Sequence, residues 1–352
     1  MLRIRLFTLA ASAAAAMSGA SANTPDINLQ FFRDLAETRN YTLGQPVSAE
    51  ITPDNRTVIF LRSEPRDRSL QLFEFDIASG TERELLTPDQ LLGDTNEKLS
   101  TEEKARRERA RVSLRGFTKF DLSDDGTRIL VTLSGKLYVI DRKSYKPASP
   151  THVPVIALPG ENWIDPKFSP DGSAVAAVKG GEIHIIELES ITVLPLTHDA
   201  TEYVNNGVAE FVAQEEMDRS TGYWWSPDSQ WIAYQQNDES GVEVRYVADP
   251  LHPEVPPVKF FYPKAGSNNA MVRLGIVSRQ GGNTRWIKWN ADAFPYLTRV
   301  IWKESGAPLC ILVQDRAQQN QVLFAVDATT GILRRLVQES DLAWLNLDST
   351  GT

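Results

Sequence analysis

One turn motif occurs four times in this sequence, each copy just ahead of a run of β-branched, aliphatic or aromatic residues. The copies are Thr52-Pro53-Asp54-Asn55, Ser123-Asp124-Asp125-Gly126, Ser169-Pro170-Asp171-Gly172 and Ser226-Pro227-Asp228-Ser229. Proline presets φ at the second position of a turn, aspartate accepts hydrogen bonds from nearby amides, and Gly or Asn tolerates positive φ. The runs that follow, at 57–61, 127–132, 174–178 and 230–234, read as strands, and second strands follow at 137–141 and 182–188. The motifs are anchored at 53, 124, 170 and 227, giving spacings of 71, 46 and 57 residues. The shortest spacing suits one four-stranded propeller blade. The longer ones require insertions, and two stretches qualify: 86–112, highly charged and helical in pattern with Ser100-x-x-Glu103 as a capping box, and 199–219. A further blade is expected to begin near Tyr296, with strands at 298–302, 308–314 and 321–327 and a hairpin turn at 327–331. Residues 344–352 read as the opening of another repeat. The expected fold is all-β: an incomplete β-propeller of about five blades over 45–352, without the strand that would close the ring.

Ahead of the propeller, residues 1–22 have the form of a signal peptide. Arg3 and Arg5 supply the basic start, an alanine-rich apolar stretch runs over 6–17, and Ala20-Ser21-Ala22 supplies a small-x-small cleavage site, so the mature chain is expected to begin at Asn23. That stretch is too short to span a bilayer, so export to the periplasm or the medium is expected, with no membrane association after cleavage. Residues 23–44 read as a helical segment: Leu29, Phe31, Phe32, Leu35 and Ala36 recur at helical spacing, and Asp26 or Asn28 could cap them. The formal net charge of −9 argues against nucleic acid as a partner and toward cationic ligands. The single cysteine, Cys310, lies in an apolar run and reads as a buried strand residue.

A nucleophile site is not found in these residues. There is no Gly-x-Ser-x-Gly, and His152, His184, His198 and His252 stand in no metal-ligand spacing. Gly180-Gly181 and Gly281-Gly282 read as hairpin glycines, and His184 as a sheet residue. No catalytic residue, metal site or cofactor is expected within the chain.

Two segments stand out. Residues 209–229 carry Glu215-Glu216 in a short helical stretch that leads into Tyr223-Trp224-Trp225-Ser226-Pro227-Asp228. Residues 260–277 carry Tyr262-Pro263-x-Ala265-Gly266-x-x-Asn269-x-x-Val272. In this order they resemble the dipeptidyl peptidase IV branch of the prolyl oligopeptidase superfamily, over nearly all of the mature chain. The resemblance implies an eight-bladed propeller that covers a C-terminal α/β-hydrolase domain. That domain, absent from this sequence, carries the Ser-Asp-His triad, and the enzymes remove Xaa-Pro or Xaa-Ala dipeptides from free N-termini. It implies that Glu215 and Glu216 bind the substrate ammonium, a role that suits two adjacent carboxylates. It further implies an arginine on a substrate carbonyl oxygen. Arg111 is the aligned position, and Arg109 and Arg115 compete with it; a guanidinium suits the task through its fixed, paired donors. One departure concerns bracing: Ala213 and Gln214 stand where several relatives have an aromatic and a third acidic residue. Trp224 and Trp225 read as blade core or substrate rim, and Lys264 and Asn269 as turn formers. The expected partners are peptide N-termini and the hydrolase domain, with homodimerisation confined to a full-length enzyme. The competing reading is a free-standing secreted propeller that binds peptides or a protein without cleaving them.

Overall fold

The structure, a computed structural model, describes residues 28–93, 95–99, 101–109, 111–142 and 153–347. The expected signal segment and cleavage site, Asp26, Ser100 and residues 348–352 lie outside these. The four turns named above share one hydrogen-bond pattern. In each, the amide of Thr52, Ser123, Ser169 or Ser226 donates to the carbonyl five residues on, at 2.8–3.0 Å. The hydroxyl accepts the amide of that same later residue at 2.9–3.1 Å. It donates in turn to the aspartate two residues on, whose carboxylate accepts a further turn amide. The fourth position is left-handed every time, with φ of 57° at Asn55, 67° at Gly126, 66° at Gly172 and 59° at Ser229. The Ser or Thr hydroxyl thus serves as donor and acceptor at once, and these bonds hold each reversal tight between two blade strands.

Each turn joins the first two strands of an antiparallel blade, blade 1 also taking Arg115–Gly116 as a short parallel strand beside Ser69–Asp76, and a fifth blade follows without the motif. Blade 1 comprises Val47–Ile51, Thr57–Arg62, Ser69–Asp76 and Thr81–Leu86; blade 2 comprises Phe120–Leu122, Arg128–Leu133, Lys136–Asp141 and Val155–Ala157. Blade 3 comprises Ile164–Phe168, Ala174–Lys179, Glu182–Glu187 and Thr192–Pro195. Blade 5 comprises Tyr296–Ile301, Leu309–Gln314, Asn320–Val326 and Leu333–Ser340. Residues on the two faces of a strand enter different apolar clusters. Ala174, Ala176 and Val178 pack toward blade 4 with Tyr223, Ile232 and Tyr234, whereas Val175 and Ala177 pack toward blade 2 with Leu130, Leu137 and Val139. The period of two in the sequence thus becomes one core layer between each pair of successive blades, the arrangement of a propeller.

Blade 4 departs from the pattern in a way that matters for function. Its first strand is split. Val204–Asn206 and Tyr223–Trp225 both pair with the same strand, Trp231–Asp238, and Met271–Ser278 and Arg285–Ile287 complete the sheet. The stretch 199–219 is therefore not a purely helical insertion, because it opens with half of a blade strand. The chain leaves between the two halves at a Val208–Thr221 bridge, and the excursion carries a short helix. A second excursion, unseen in the sequence, is the hairpin Val244–Val247/Val258–Phe261.

Helix α1 (Leu29–Glu37) is capped by Asn28, which accepts the Phe31 amide at 2.9 Å. Helices α2 (Pro88–Leu92) and α3 (Thr101–Arg109) lie between blades 1 and 2, and α2 has a capping box at Thr87 and Gln90. Helix α4 (Phe211–Glu216) is the one on the blade 4 excursion. Cys310 is half-buried rather than buried: Leu309, Ile311 and Val313 take the inward positions of its strand, so the alternation leaves Cys310 at the intermediate ones. At the far end, Trp344–Leu347 form no strand; Leu347 packs against Ala209, Ala213 and Met217.

Ser169 is fully buried. Ser169→Ala is expected to strand the Ala174 amide and remove the brace on Asp171, lowering unfolding free energy by about 1–3 kcal/mol in urea titration.

Candidate functional site

Helix α4 has six residues, too few to be stable on its own. Tertiary contacts hold it at both ends. At its start the Glu210 carboxylate accepts the Ala213 amide at 3.2 Å and is itself held by the Gln235 side-chain amide and by Arg219 at 3.7 Å. Arg219 is 3% exposed; it donates to Gln235 Oε1 at 2.7 Å and to the Leu297 carbonyl of blade 5 at 2.9 Å. At the other end Arg299 donates to the Met217 carbonyl at 2.7 Å. Ala213 is the buried residue of the helix, and it packs with Ala209 before the N-cap and Met217 at the C-cap. The next two positions after Gln214 then turn outward, and Glu215 and Glu216 are both exposed. Neither carboxylate makes a hydrogen bond or ion pair with a described residue.

The brace on this helix comes from blade 2's approach. Arg107 is buried and bonded to both Glu97 and Glu103 at 2.8 Å, which fixes α3. Arg109, two residues on, reaches α4: its Nη1 donates to Gln214 Oε1 at 3.1 Å, and its guanidinium lies 6.0 Å from the Phe211 ring centroid. Gln214 uses its own amide to donate to the Ala209 carbonyl. Glutamine can serve as both acceptor and donor here, which an ionised glutamate could not. Of the three candidate arginines, then, Arg109 touches the helix of the pair. Arg111 follows α3 at a φ of 52°, exposed and without a side-chain bond to a described residue, and Arg115 pairs with Asp67 at 3.1 Å.

A cavity of about 710 Å³ opens beneath α4, walled by Arg109, Phe211, Gln214, Phe260, Glu210 and Glu239 among others. Glu215 and Glu216 are not part of that wall. Glu239 has no place in the sequence reading. Burial first, then the Glu210 charge, push its carboxyl up to about 7, while Arg109 opposes the shift and Asp238 adds to it. The signal for it was present in the all-polar stretch Gln235-Gln236-Asn237-Asp238-Glu239, which closes a strand whose Gln235, Gln236 and Asn237 are buried. His184 sits on a blade 3 strand with its ring 5.3 Å from Trp163. Among the described residues no group of three His, Cys, Asp or Glu side chains is placed to hold a metal ion.

Stacked four-stranded blades and an inserted helix that bears a paired carboxylate define a propeller with an acidic helical insertion. The family model for the dipeptidyl peptidase IV (DPP IV) N-terminal region matches residues 123–351. The chain belongs to that family. It is 32% identical to human dipeptidyl peptidase 8 and 29% identical to the mouse protein, each over 257 residues, 62% of this chain and 28% of the relative. It is 27% identical to the probable dipeptidyl-aminopeptidase B of Talaromyces marneffei, over 61% of this chain and 26% of that one. The chain thus spans under a third of the length of these relatives. The crystal structure of Porphyromonas gingivalis dipeptidyl peptidase 4 superposes with a TM-score of 0.61 at 23% identity, covering 84% of this chain and 40% of that one. That likeness supports the propeller fold.

Glu239 gives the site a pH dependence. Its folded-state value lies above the ordinary 4.5, so the folded chain holds a proton that the unfolded chain has released between pH 4.5 and about 7. Stability falls as pH rises through that window. Glu239→Gln is expected to leave stability nearly unchanged below pH 4.5 and to raise it by about 1–3 kcal/mol at pH 8, read from urea midpoints at both values.

Proposed function

We propose that the chain is the substrate-recognition propeller of a serine exopeptidase that removes N-terminal dipeptides, and that Glu215 and Glu216 bind the ammonium of the peptide's free N-terminus. The observation that carries this reading is the state of the pair. Two adjacent carboxylates stand exposed, bonded to no described residue, on a helix held at both ends. Side chains that only solvated a surface would not require so much buried polar support. An ammonium between them relieves their repulsion and supplies charge-assisted hydrogen bonds. The arginine for a substrate carbonyl is best supplied by Arg109, whose guanidinium is already at α4, ahead of the aligned Arg111. Cleavage requires a nucleophile, and no Gly-x-Ser-x-Gly stands in these 352 residues. The hydrolysing domain belongs to the reading as a partner of this propeller. Export belongs to it too, supported by the basic start, apolar stretch and Ala20-Ser21-Ala22.

Calorimetric titration of the full chain with alanyl-prolinamide and with its N-acetylated form tests the assignment. The free amine is expected to bind and the acetylated form not to. Glu215→Gln or Glu216→Gln should each weaken binding by about tenfold, since the carboxylates are solvent-exposed and the charge contact correspondingly modest. The double variant should be little worse than the poorer single one, because both groups hold one ammonium. Equal binding of the two peptides, or a double variant that binds as the native chain does, would remove the assignment.

A further inference from the structure

A second cavity, of about 490 Å³, lies against the first strands of blades 2 to 5, and its chemistry is the opposite of the acidic pair. Four cationic side chains reach its wall: Lys167, Arg219, Arg299 and Lys303. Trp224, Trp225, Trp302, Tyr223 and Phe168 supply flat apolar surface. Arg219 Nε and the Trp225 indole Nε1, both on this wall, are buried with no acceptor among the described residues. A buried tryptophan N–H and a buried guanidinium N–H ordinarily find partners, and leaving one unmet costs free energy. Burial works against the charge on Arg219; Glu210 supports it, and the like charge of Arg299 again opposes it. Lys167 is matched by Asp165 at 2.8 Å, whereas Lys303 is exposed and bonded to no described residue. Asp121 and Asp124 also line the cavity. Burial favours the protonated form of both, so their opposition to an anion is reduced.

We propose that this cavity is a binding site for an oxyanion, carboxylate or phosphate, carried on a flat apolar body. The anion would be met by Arg219, Arg299 and Lys303, and the body by the tryptophans. The volume far exceeds that of one water, about 30 Å³, so a small organic acid fits. Arg219 links the site to α4 through Glu210, and Arg299 does so through the Met217 carbonyl. The site does not depend on the peptide-binding reading of Glu215 and Glu216.

The test follows the Trp225 indole N–H resonance in the full chain labelled with 15N-tryptophan, assigned by Trp225→Phe. The probes are N-acetyltryptophan as an aromatic carboxylate, N-acetyltryptophanamide as its neutral counterpart, and inorganic phosphate. A saturable shift with the carboxylate or with phosphate, absent with the amide, is expected, and which anion acts identifies the oxyanion. Lys303→Gln, exposed and outside the packed core, should weaken that binding by about fivefold. Arg219→Lys, where it folds, should weaken it further. No saturable shift with either anion, an equal response to the amide, or affinity unchanged in Lys303→Gln overturns the proposal.

Discussion

The buried Glu210 carboxylate ties together parts of the chain that are far apart in sequence. One side of it caps α4, the other accepts from Gln235 in the middle of blade 4, and Arg219 beside it carries the connection to the Leu297 carbonyl of blade 5. A six-residue helix whose buried residue is a single alanine, Ala213, has little packing to hold it. Its direction is set by these polar contacts. The arrangement is unforgiving: removing one member of a buried charged set leaves the others unpaired, at a cost of about 3–5 kcal/mol. The same carboxylate also raises the proton affinity of Glu239 and sustains the charge on Arg219. The acidic pair, the cavity under α4 and the cationic cavity among the inner strands are therefore all neighbours of one group.

The blades supply the frame on which this set is placed. Because alternate residues of each central strand enter different interblade cores, a blade cannot turn without disturbing both neighbours. The Ser/Thr-x-Asp turns fix where each first strand ends and the next begins, and hence which side chains face the inner surface. Lys167 and Tyr223 come from two blades with such turns and line one cavity, where Arg299 of blade 5 joins them. Blade 4 alone interrupts its first strand, and the interruption puts α4 where two halves of one strand would otherwise join.

What the sequence disclosed is what depends on short-range rules. Thr52, Ser123, Ser169 and Ser226 announce their turns because every hydrogen bond involved lies within five residues. Glu215 and Glu216 were legible as a pair through the surrounding motif. What was not legible depends on contacts across the fold. Arg109 and Arg111 are equivalent by local pattern; Arg107 locked between Glu97 and Glu103 fixes α3, and Arg109 is the one that meets Gln214, 105 residues away. Glu239 looks like an ordinary strand-end acid until Glu210 and burial are counted. Cys310 lies in an apolar run that implies burial, but the pleat gives alternate residues different depths. The hairpin Val244–Val247/Val258–Phe261 is joined by the proline-rich loop 248–257, too long for the short-turn signal of a hairpin.

The central claim is that the exposed carboxylates of α4, and not the acids beneath it, receive the amino terminus of a peptide. A crystal structure of the full chain with alanyl-prolinamide bound tests this most directly. The ammonium nitrogen is expected about 3 Å from carboxylate oxygens of both Glu215 and Glu216, with the Arg109 guanidinium on the peptide's side of Gln214. A peptide seated with its ammonium on Glu239 in the cavity below, or bound with no contact to either member of the pair, would contradict the account.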